Sequence, residues 1–502
     1  MLKKLKQVDT TKSPGPDGFH ARVLNELADE LAGPLAIIFT KTLDEGALPT
    51  TWKEANVSPI FKKGEKSNPG NYRPISLTSI VCKIMESIIR DEIMLHLTKN
   101  NLLSCSQHGF VPKRSCVTNL LEMMDKWTEA LDTGKPVDAV YLDFAKAFDS
   151  VPHQRLQAKV ESYGIKGKVG SWISNFLTDR RQRVTVQGSY SSWSSVTSGV
   201  PQGSVLGPIL FVIYINDLPE GVLSWCSMYA DDTKISSPAE TEANRIKLQK
   251  DLDNVVDWAD RWQLKFHTGK CKVIHFGSKN VLQSYTMRKH HTEERVTLHS
   301  TISEKDLGVE VDNELKFSKH IETQVAKANR ILGQIRRSFN FMDIETMRLL
   351  FTSLVRPHLE YAIVVWAPRL QKDINLIEGV LRRATKIIPG MKDLDYNTRL
   401  KKANIPSMKH RRERGDMIEV YKFTHGLYNT PPPFTLDSGN KTRGHSLKIR
   451  KNRVNTSLRQ GFFSERVVDD WNSLPEGVVS ARTLNGFKSG LDSVWRERKY
   501  QL

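Results

Sequence analysis

The spacing of apolar positions changes period several times along this chain, and each change predicts a different element. Between residues 20 and 45, Val23, Leu24, Leu27, Leu31, Leu35 and Ile38 recur at helical spacing, and Pro34 predicts a split into two helices. Residues 57–61 read as a short strand, 62–71 as a polar loop forming a flexible tip, and 76–97 as a helix. The central third alternates strands with helices. Residues 137–144 form a β-branched and aromatic strand, 184–186 and 193–197 a hairpin, and 203–218 a buried helix. Residues 226–229 and 233–236 form a second hairpin whose turn is Ala230-Asp231-Asp232. An amphipathic helix follows over 239–262, then strands at 271–276 and 307–311, and helical patterning dominates from about 318 onward. The predicted class is α+β, with an antiparallel sheet at its centre.

Composition narrows what such a fold would meet. The 502 residues leave room for two to four domains, and 39% hydrophobic with 26% charged residues supports an ordinary core. Lys+Arg number 74 against 56 Asp+Glu, a net charge of +18, which favours a polyanionic partner. Five scattered cysteines, none in a CxxC pair, argue against a disulfide framework and a zinc knuckle and fit a reducing intracellular setting. No apolar run reaches the roughly 18 residues of a membrane span, and the basic start lacks a signal-peptide core. No membrane partner is expected. Residues 401–460 concentrate 14 Lys+Arg against 4 Asp+Glu. They read either as a solvated basic face or as a nucleic-acid surface on which Tyr421, Phe423 and Tyr428 stack bases.

The chemistry begins with Asp143 and the doublet Asp231-Asp232, each at the end or turn of an otherwise apolar strand. Adjacent strands would gather the three carboxylates, whose mutual repulsion raises their pKa values. Two divalent cations would relieve that repulsion, and hard carboxylate oxygens suit Mg²⁺. In isolation, a solvated turn rich in Asp would read the same way.

The neighbouring residues supply a family. Asp143-Phe-Ala-Lys-Ala-Phe-Asp149, then Ser198-Gly-Val-Pro-Gln-Gly-Ser-Val-Leu-Gly-Pro208, then Tyr229-Ala-Asp-Asp232 resemble, in order, the three central motifs of reverse transcriptases. Ser13-Pro-Gly-Pro-Asp-Gly18 and Gln107-His-Gly-Phe-Val-Pro-Lys-Arg-Ser115 resemble flanking motifs of the non-LTR retrotransposon type, in particular the jockey and chicken-repeat groups. Leu354–Tyr361, Arg382–Pro389, Phe462–Val468 and Trp471–Pro475 resemble the region that follows the polymerase there, so the likeness spans almost the whole chain.

The resemblance implies a right-hand polymerase with a mostly helical, basic C-terminal region. Its parts would be an N-terminal extension and fingers over 1–130, a palm over 131–300 and a primer grip with helical thumb over 301–400. The basic region would occupy 401–502. It also implies roles. Asp143, Asp231 and Asp232 would hold two Mg²⁺ ions, and Lys270 would protonate departing pyrophosphate. Lys62 or Lys63, with Arg73, would grip the triphosphate of a dNTP. Phe148 would exclude a ribose 2′-hydroxyl, and Gln202 and Gly203, with Tyr229, would line the nascent base pair and primer end. Leu307–Asp312 resembles the primer grip, whereas His267 stands where the family often has Asn, and residues 289–303 fit its pattern poorly.

Expected partners are an RNA template, a DNA primer or nicked target DNA, and dNTPs. Action on chromosomal DNA implies a nuclear site of work, with the cytoplasm as the alternative. The family usually carries an upstream endonuclease, and the chain starts at the polymerase, so a nick supplied from elsewhere is expected. Two rivals stay open: an RNA-dependent RNA polymerase, and a non-catalytic nucleic-acid-binding remnant.

Overall fold

The computed structural model describes residues 1–437 and 444–501. A central five-stranded sheet organises the chain. Its strands run β12–β9–β3–β8–β7, formed by Val137–Leu142 (β3), Trp225–Tyr229 (β7), Asp232–Pro238 (β8), Lys272–Phe276 (β9) and His299–Ser300 (β12). All neighbours pair antiparallel except β12 with β9. In β3, Val140 and Leu142 face one apolar core while Val137 and Ala139 face another, the two-residue alternation of a sheet buried on both sides. The helices Gly207–Ile215 and Glu242–Trp262 belong to the first core, and Cys116–Asp132 belongs to the second.

A second sheet stands beside it, built from Glu54–Phe61 (β1), Tyr72–Thr78 (β2), Arg180–Val186 (β4), Ser189–Tyr190 (β5) and Ser194–Val196 (β6). β1 pairs antiparallel with β2 and parallel with β4. Two small hairpins complete the strands: Thr286–Arg288 (β10) with Arg295–Thr297 (β11), and Ser303–Asp306 (β13) with Val309–Asp312 (β14).

Several boundaries differ from the sequence expectation. The N-terminal helical stretch breaks at Leu27, not at Pro34, which lies inside the helix Ala28–Glu45. Pro34 sits on the exposed side, where solvent can serve the carbonyl whose partner it removes. Residues 76–78 belong to a strand. Ser79 then caps the helix Ile80–Lys99 by accepting the Cys82 N–H at 3.2 Å. The expected helix from 203 starts only at Gly207, because the Ser204 hydroxyl accepts the Gly207 N–H at 2.9 Å and ends a loop. Residues 184–186 do not pair with 193–197: β4 turns tightly into β5, while β6 returns to Arg180–Gln182. Leu307 and Gly308 form a turn between strands, not the start of one. The 62–71 tip is internally bonded, with Lys62 N–H on the Asn71 carbonyl at 2.8 Å and Tyr72 Oη on the Lys66 carbonyl at 2.8 Å.

The poorly matching stretch 289–303 holds the turn and second strand of the β10–β11 hairpin, which is laid along the helix Glu242–Trp262. Asp253, Asp257 and Asp260, on one helix face, receive Arg295, Arg288 and His290 respectively.

Residues beyond 401 share a single core with the helices Ser318–Ser338 and Gln371–Ile387 and with Cys116–Asp132. Tyr421 and Phe423 are therefore buried. The first, 2% exposed, stacks on Phe487 at 4.5 Å. Tyr428, half-buried, bonds Glu419. Base stacking by Tyr421 and Phe423 is overturned, because both rings are buried in this core.

The same region closes back onto the start of the chain. Asp132 accepts the Asn455 and Thr456 N–H groups at 3.0 and 2.7 Å. Arg459, 7% exposed, reaches the Asp125 carboxylate at 2.7 Å and the Thr128 hydroxyl at 2.9 Å. Burial pushes the Asp125 carboxyl up to about 6 even with that guanidinium beside it. Breaking such a pair strands the surviving charge. Arg459→Met is expected to cost about 3–5 kcal/mol, measured as a lower urea midpoint, while Lys451→Met on the exposed Asp469 pair changes stability by less than about 1 kcal/mol.

Candidate active site

Strand β8 starts at the second carboxylate of the doublet. In the β7–β8 hairpin Tyr229 pairs with Asp232, leaving Ala230 and Asp231 as a two-residue turn. Ala230 holds a left-handed backbone, φ 54°, a conformation that costs a residue with a β-carbon about 1–2 kcal/mol. The price is met by a cradle. Gln107 Oε1 accepts the Ala230 N–H at 2.9 Å and the Gly109 N–H at 2.7 Å. On either side of Gln107, the His108 N–H bonds the Met228 carbonyl and the Met228 N–H bonds the Ser106 carbonyl, both at 2.8 Å. A β-carbon on Gly109 would lie 2.4 Å from the Ala230 nitrogen, so only glycine lets this segment approach.

Asp143 follows Leu142, the last residue of β3, which pairs with Thr233 of β8, so Asp143 and Asp232 end adjacent strands at one edge of the sheet. Its backbone is zipped to the chain after the long helix: the His267 N–H bonds the Asp143 carbonyl at 2.8 Å, and Phe144 stacks on Phe266 at 4.2 Å. His267 thus does this job through its backbone. The zipper brings Lys270 Nζ to 3.8 Å from Asp143 Oδ1, with both side chains about half exposed.

The three carboxylates act on one another. Desolvation by the cleft floor, then repulsion from Asp231, Asp306 and Asp143, pushes the Asp232 carboxyl up to about 6, although it stays open to solvent. Desolvation and the Asp143 charge raise Asp231 as well, and Arg73 and Lys62 pull it back down. Crowded hard oxygens held at unfavourable charge are the donor set a divalent cation such as Mg²⁺ requires. Among the described residues, the one triad of ligand atoms lying within 4.8 Å of each other is Asp260, His290 and His291, away from this edge; the three aspartates are more widely spread.

The candidate triphosphate ligands lie on the β1–β2 hairpin. Arg73 pairs with Ile60 in register, Lys62 and Lys63 lead out of β1, and all three are exposed without a salt bridge among the described residues. The field of Arg73 and Lys62 at Asp231 places both near the carboxylates.

Phe148 is half-buried and stacks on Phe211 of the helix Gly207–Ile215 at 4.2 Å, while its carbonyl accepts the Val200 N–H at 2.8 Å. Gln202 donates to Asp149 Oδ1 at 2.8 Å and accepts the Ser76 N–H from β2 at 2.7 Å. Gly203, φ 115°, packs where a β-carbon would meet the Ser76 carbonyl oxygen at 2.5 Å. Tyr229 is half-buried beside Cys116, and burial pushes its phenol up to about 12.

Three supports escape the motif reading. Gln107 sits in a motif whose only sequence meaning is group membership. Asp149 closes the Asp143 motif without an evident partner. Glu86, fully buried, accepts the Val205 and Leu206 N–H groups at 2.6 and 2.9 Å, and nothing local in its helix marks it.

Carboxylates at the ends of antiparallel strands, a basic hairpin facing them and an aromatic beside them make the layout of a nucleotide polymerase. Residues 60–324, more than half of the chain, match the family model described as Reverse transcriptase (RNA-dependent DNA polymerase), and the chain belongs to that family. It is similar to the Probable RNA-directed DNA polymerase from transposon BS of Drosophila melanogaster, 29% identical, covering 77% of this chain and 44% of that protein. It is also similar to the RNA-directed DNA polymerase from mobile element jockey of Drosophila melanogaster (28%, covering 76% and 42%) and of Drosophila funebris (28%, covering 84% and 46%). The chain spans less than half the length of these relatives. No helix among the described residues is long and apolar enough to cross a membrane.

The raised Asp232 carboxyl has a measurable sign. Its folded pKa exceeds the unfolded value of 3.8, so the folded state loses stability as pH rises through about 4 to 6. In chelator, Asp232→Asn is expected to melt a few degrees above wild type at pH 8 and level with it near pH 4. Added Mg²⁺ should raise the wild-type melting temperature more than that of the variant.

Proposed function

We propose that this chain is the polymerase part of a non-LTR retrotransposon reverse transcriptase, copying RNA into DNA by adding dNTPs to a primer 3′-hydroxyl. The observation that carries this reading is the convergence of Asp143, Asp231 and Asp232 at one sheet edge, where two of the three carboxylates are held at raised pKa. On this reading the central sheet is the palm, the β1–β2 hairpin belongs to the fingers, the helices between 318 and 400 are the thumb, and 401–502 is the basic C-terminal region.

Asp143, Asp231 and Asp232 would hold two Mg²⁺ ions, which when bound supply charge neutralisation and activation for phosphoryl transfer. The remaining work falls to side chains. Arg73, with Lys62 or Lys63, draws the triphosphate toward the carboxylates and compensates its charge. Lys270, beside Asp143 and open to solvent, offers a proton to the departing pyrophosphate. Phe148, stiffened by its stack on Phe211, fills the space a 2′-hydroxyl would need. Gln202 and Gly203, tied to Asp149 and β2, form a wall for the nascent base pair, with Tyr229 at the primer end. The substrates are an RNA template, a DNA primer or nicked target, and dNTPs, and the work is done in the nucleus.

Primer extension on an RNA template with dNTPs and Mg²⁺ tests the reading. Wild type should extend and Asp231→Asn should lose at least about a thousandfold in rate, about 4 kcal/mol of barrier. Binding of primer–template without extension by folded wild type would favour a non-catalytic remnant. Phe148→Ala should raise ribonucleotide use relative to dNTPs by about tenfold or more, a loss of about 1.4 kcal/mol of exclusion; equal use of both by wild type would instead favour an RNA polymerase.

A further inference from the structure

The β13–β14 hairpin pairs as a sheet only with itself: the Thr301 N–H on the Val273 carbonyl at 2.8 Å anchors the chain before it, and its turn meets the catalytic edge through side chains. One contact there is unlike the rest. Lys234 Nζ meets Asp306 Oδ2 at 2.5 Å with both side chains almost sealed, 4% and 6% exposed. Lys234 lies two residues after Asp232 on β8, and so on the same face of the strand; Asp306 is the last residue of β13, immediately before the Leu307–Gly308 turn. A cavity of about 100 Å³ adjoins the pair and is lined by Asp143, Asp232, Lys270 and Leu307 as well.

The turn is held from the opposite side too. Tyr361, which ends the helix Arg356–Glu360, donates its hydroxyl to the Leu307 carbonyl at 2.7 Å. A β-carbon at Gly308 would lie 3.0 Å from its ring. The five residues before that helix, Phe351–Val355, form a π-helical turn, a local underwinding that shifts where Tyr361 arrives.

We propose that Lys234 and Asp306 are positioning residues that pin the Leu307–Gly308 turn to the catalytic edge, with Tyr361 as the clasp from the helical side, so that a primer terminus meets the carboxylates at a set distance. The proposal rests on the polymerase reading above. A buried ion pair adds little net stability over apolar side chains of equal bulk, because desolvation cancels most of its attraction. What it adds is a single allowed geometry. A misplacement of about 1 Å at a reacting terminus is enough to cost on the order of a hundredfold in rate.

The test uses the full chain and four variants: Lys234→Met, Asp306→Asn, Tyr361→Phe and the double Lys234→Met/Asp306→Leu. The readouts are single-nucleotide addition to bound primer–template, primer–template affinity, melting temperature, and hydrogen exchange of residues 303–312. Each single variant of the pair should lower kcat at least tenfold with affinity within threefold, and should speed exchange in the hairpin. Tyr361→Phe should act in the same direction by a smaller factor. The double variant should recover the melting temperature without recovering kcat. Recovery of both, or unchanged exchange in 303–312, overturns the proposal and makes the pair merely structural. If wild type extends no primer, the polymerase reading fails, and the exchange measurement still decides whether the pair pins the hairpin.

Discussion

Three like charges must be kept close together at the end of an apolar sheet, and the surrounding structure is arranged around that repulsion. Asp231 occupies a two-residue turn whose other member, Ala230, has a backbone that alanine does not adopt willingly. Such a turn would relax if left to itself. It is held because Gln107 takes both its N–H and that of Gly109, and because the adjoining segment runs alongside β7 as an extra edge. Asp143 is held independently, through a backbone zipper to the chain around Phe266. Neither carboxylate position depends on a salt bridge strong enough to satisfy it, which keeps the charges available to a cation.

A second consequence is that the elements around the edge are fastened mainly through backbone groups. Glu86 holds the entry to the helix Gly207–Ile215 by two N–H groups, and Gln202 is joined to β2 through its carbonyl. Backbone contacts of this sort tolerate drift in the side chains above them. His267 is an example: the position departs from the family pattern, yet its N–H still reaches Asp143.

How much of this can be read from sequence depends on the range of the forces involved. The strands that end at the carboxylates are legible because burial on both faces makes them apolar throughout, and their turns are rich in Asp. The long helix at 242–262 is legible from its period. The strand over 72–78 is not, since its alternation is short and continues without pause into a helical pattern; only the Ser79 cap marks the change. The break at Leu27 has no local punctuation, whereas Pro34 has one that the fold does not use. At the site, the acids and the basic hairpin announce themselves by charge. Gln107, Asp149 and Glu86 do not, because each works on a group more than fifty residues away, and nothing near them in sequence records that partner. Tyr421 and Phe423 mislead for a related reason: basic neighbours suggest a surface, while the two rings fill a core.

The closure of Asn455, Thr456 and Arg459 onto the helix Cys116–Asp132 has a bearing on how the chain is made. One face of the central sheet and one side of that helix share a core with residues that follow 318, the last of them Phe487, Leu491 and Trp495. A ribosome releases the carboxylate motifs about 85 residues before the first helix of this cover and about 255 before Phe487. Until the end of that interval Trp127 and Phe276, which stack on each other, lack part of the core they share with Phe487, Leu491 and Trp495. Synthesis order therefore leaves the scaffold of the candidate site partly uncovered until residues near 495 emerge, and a transcript that stops before them yields a chain with every carboxylate of the site and an unsealed core.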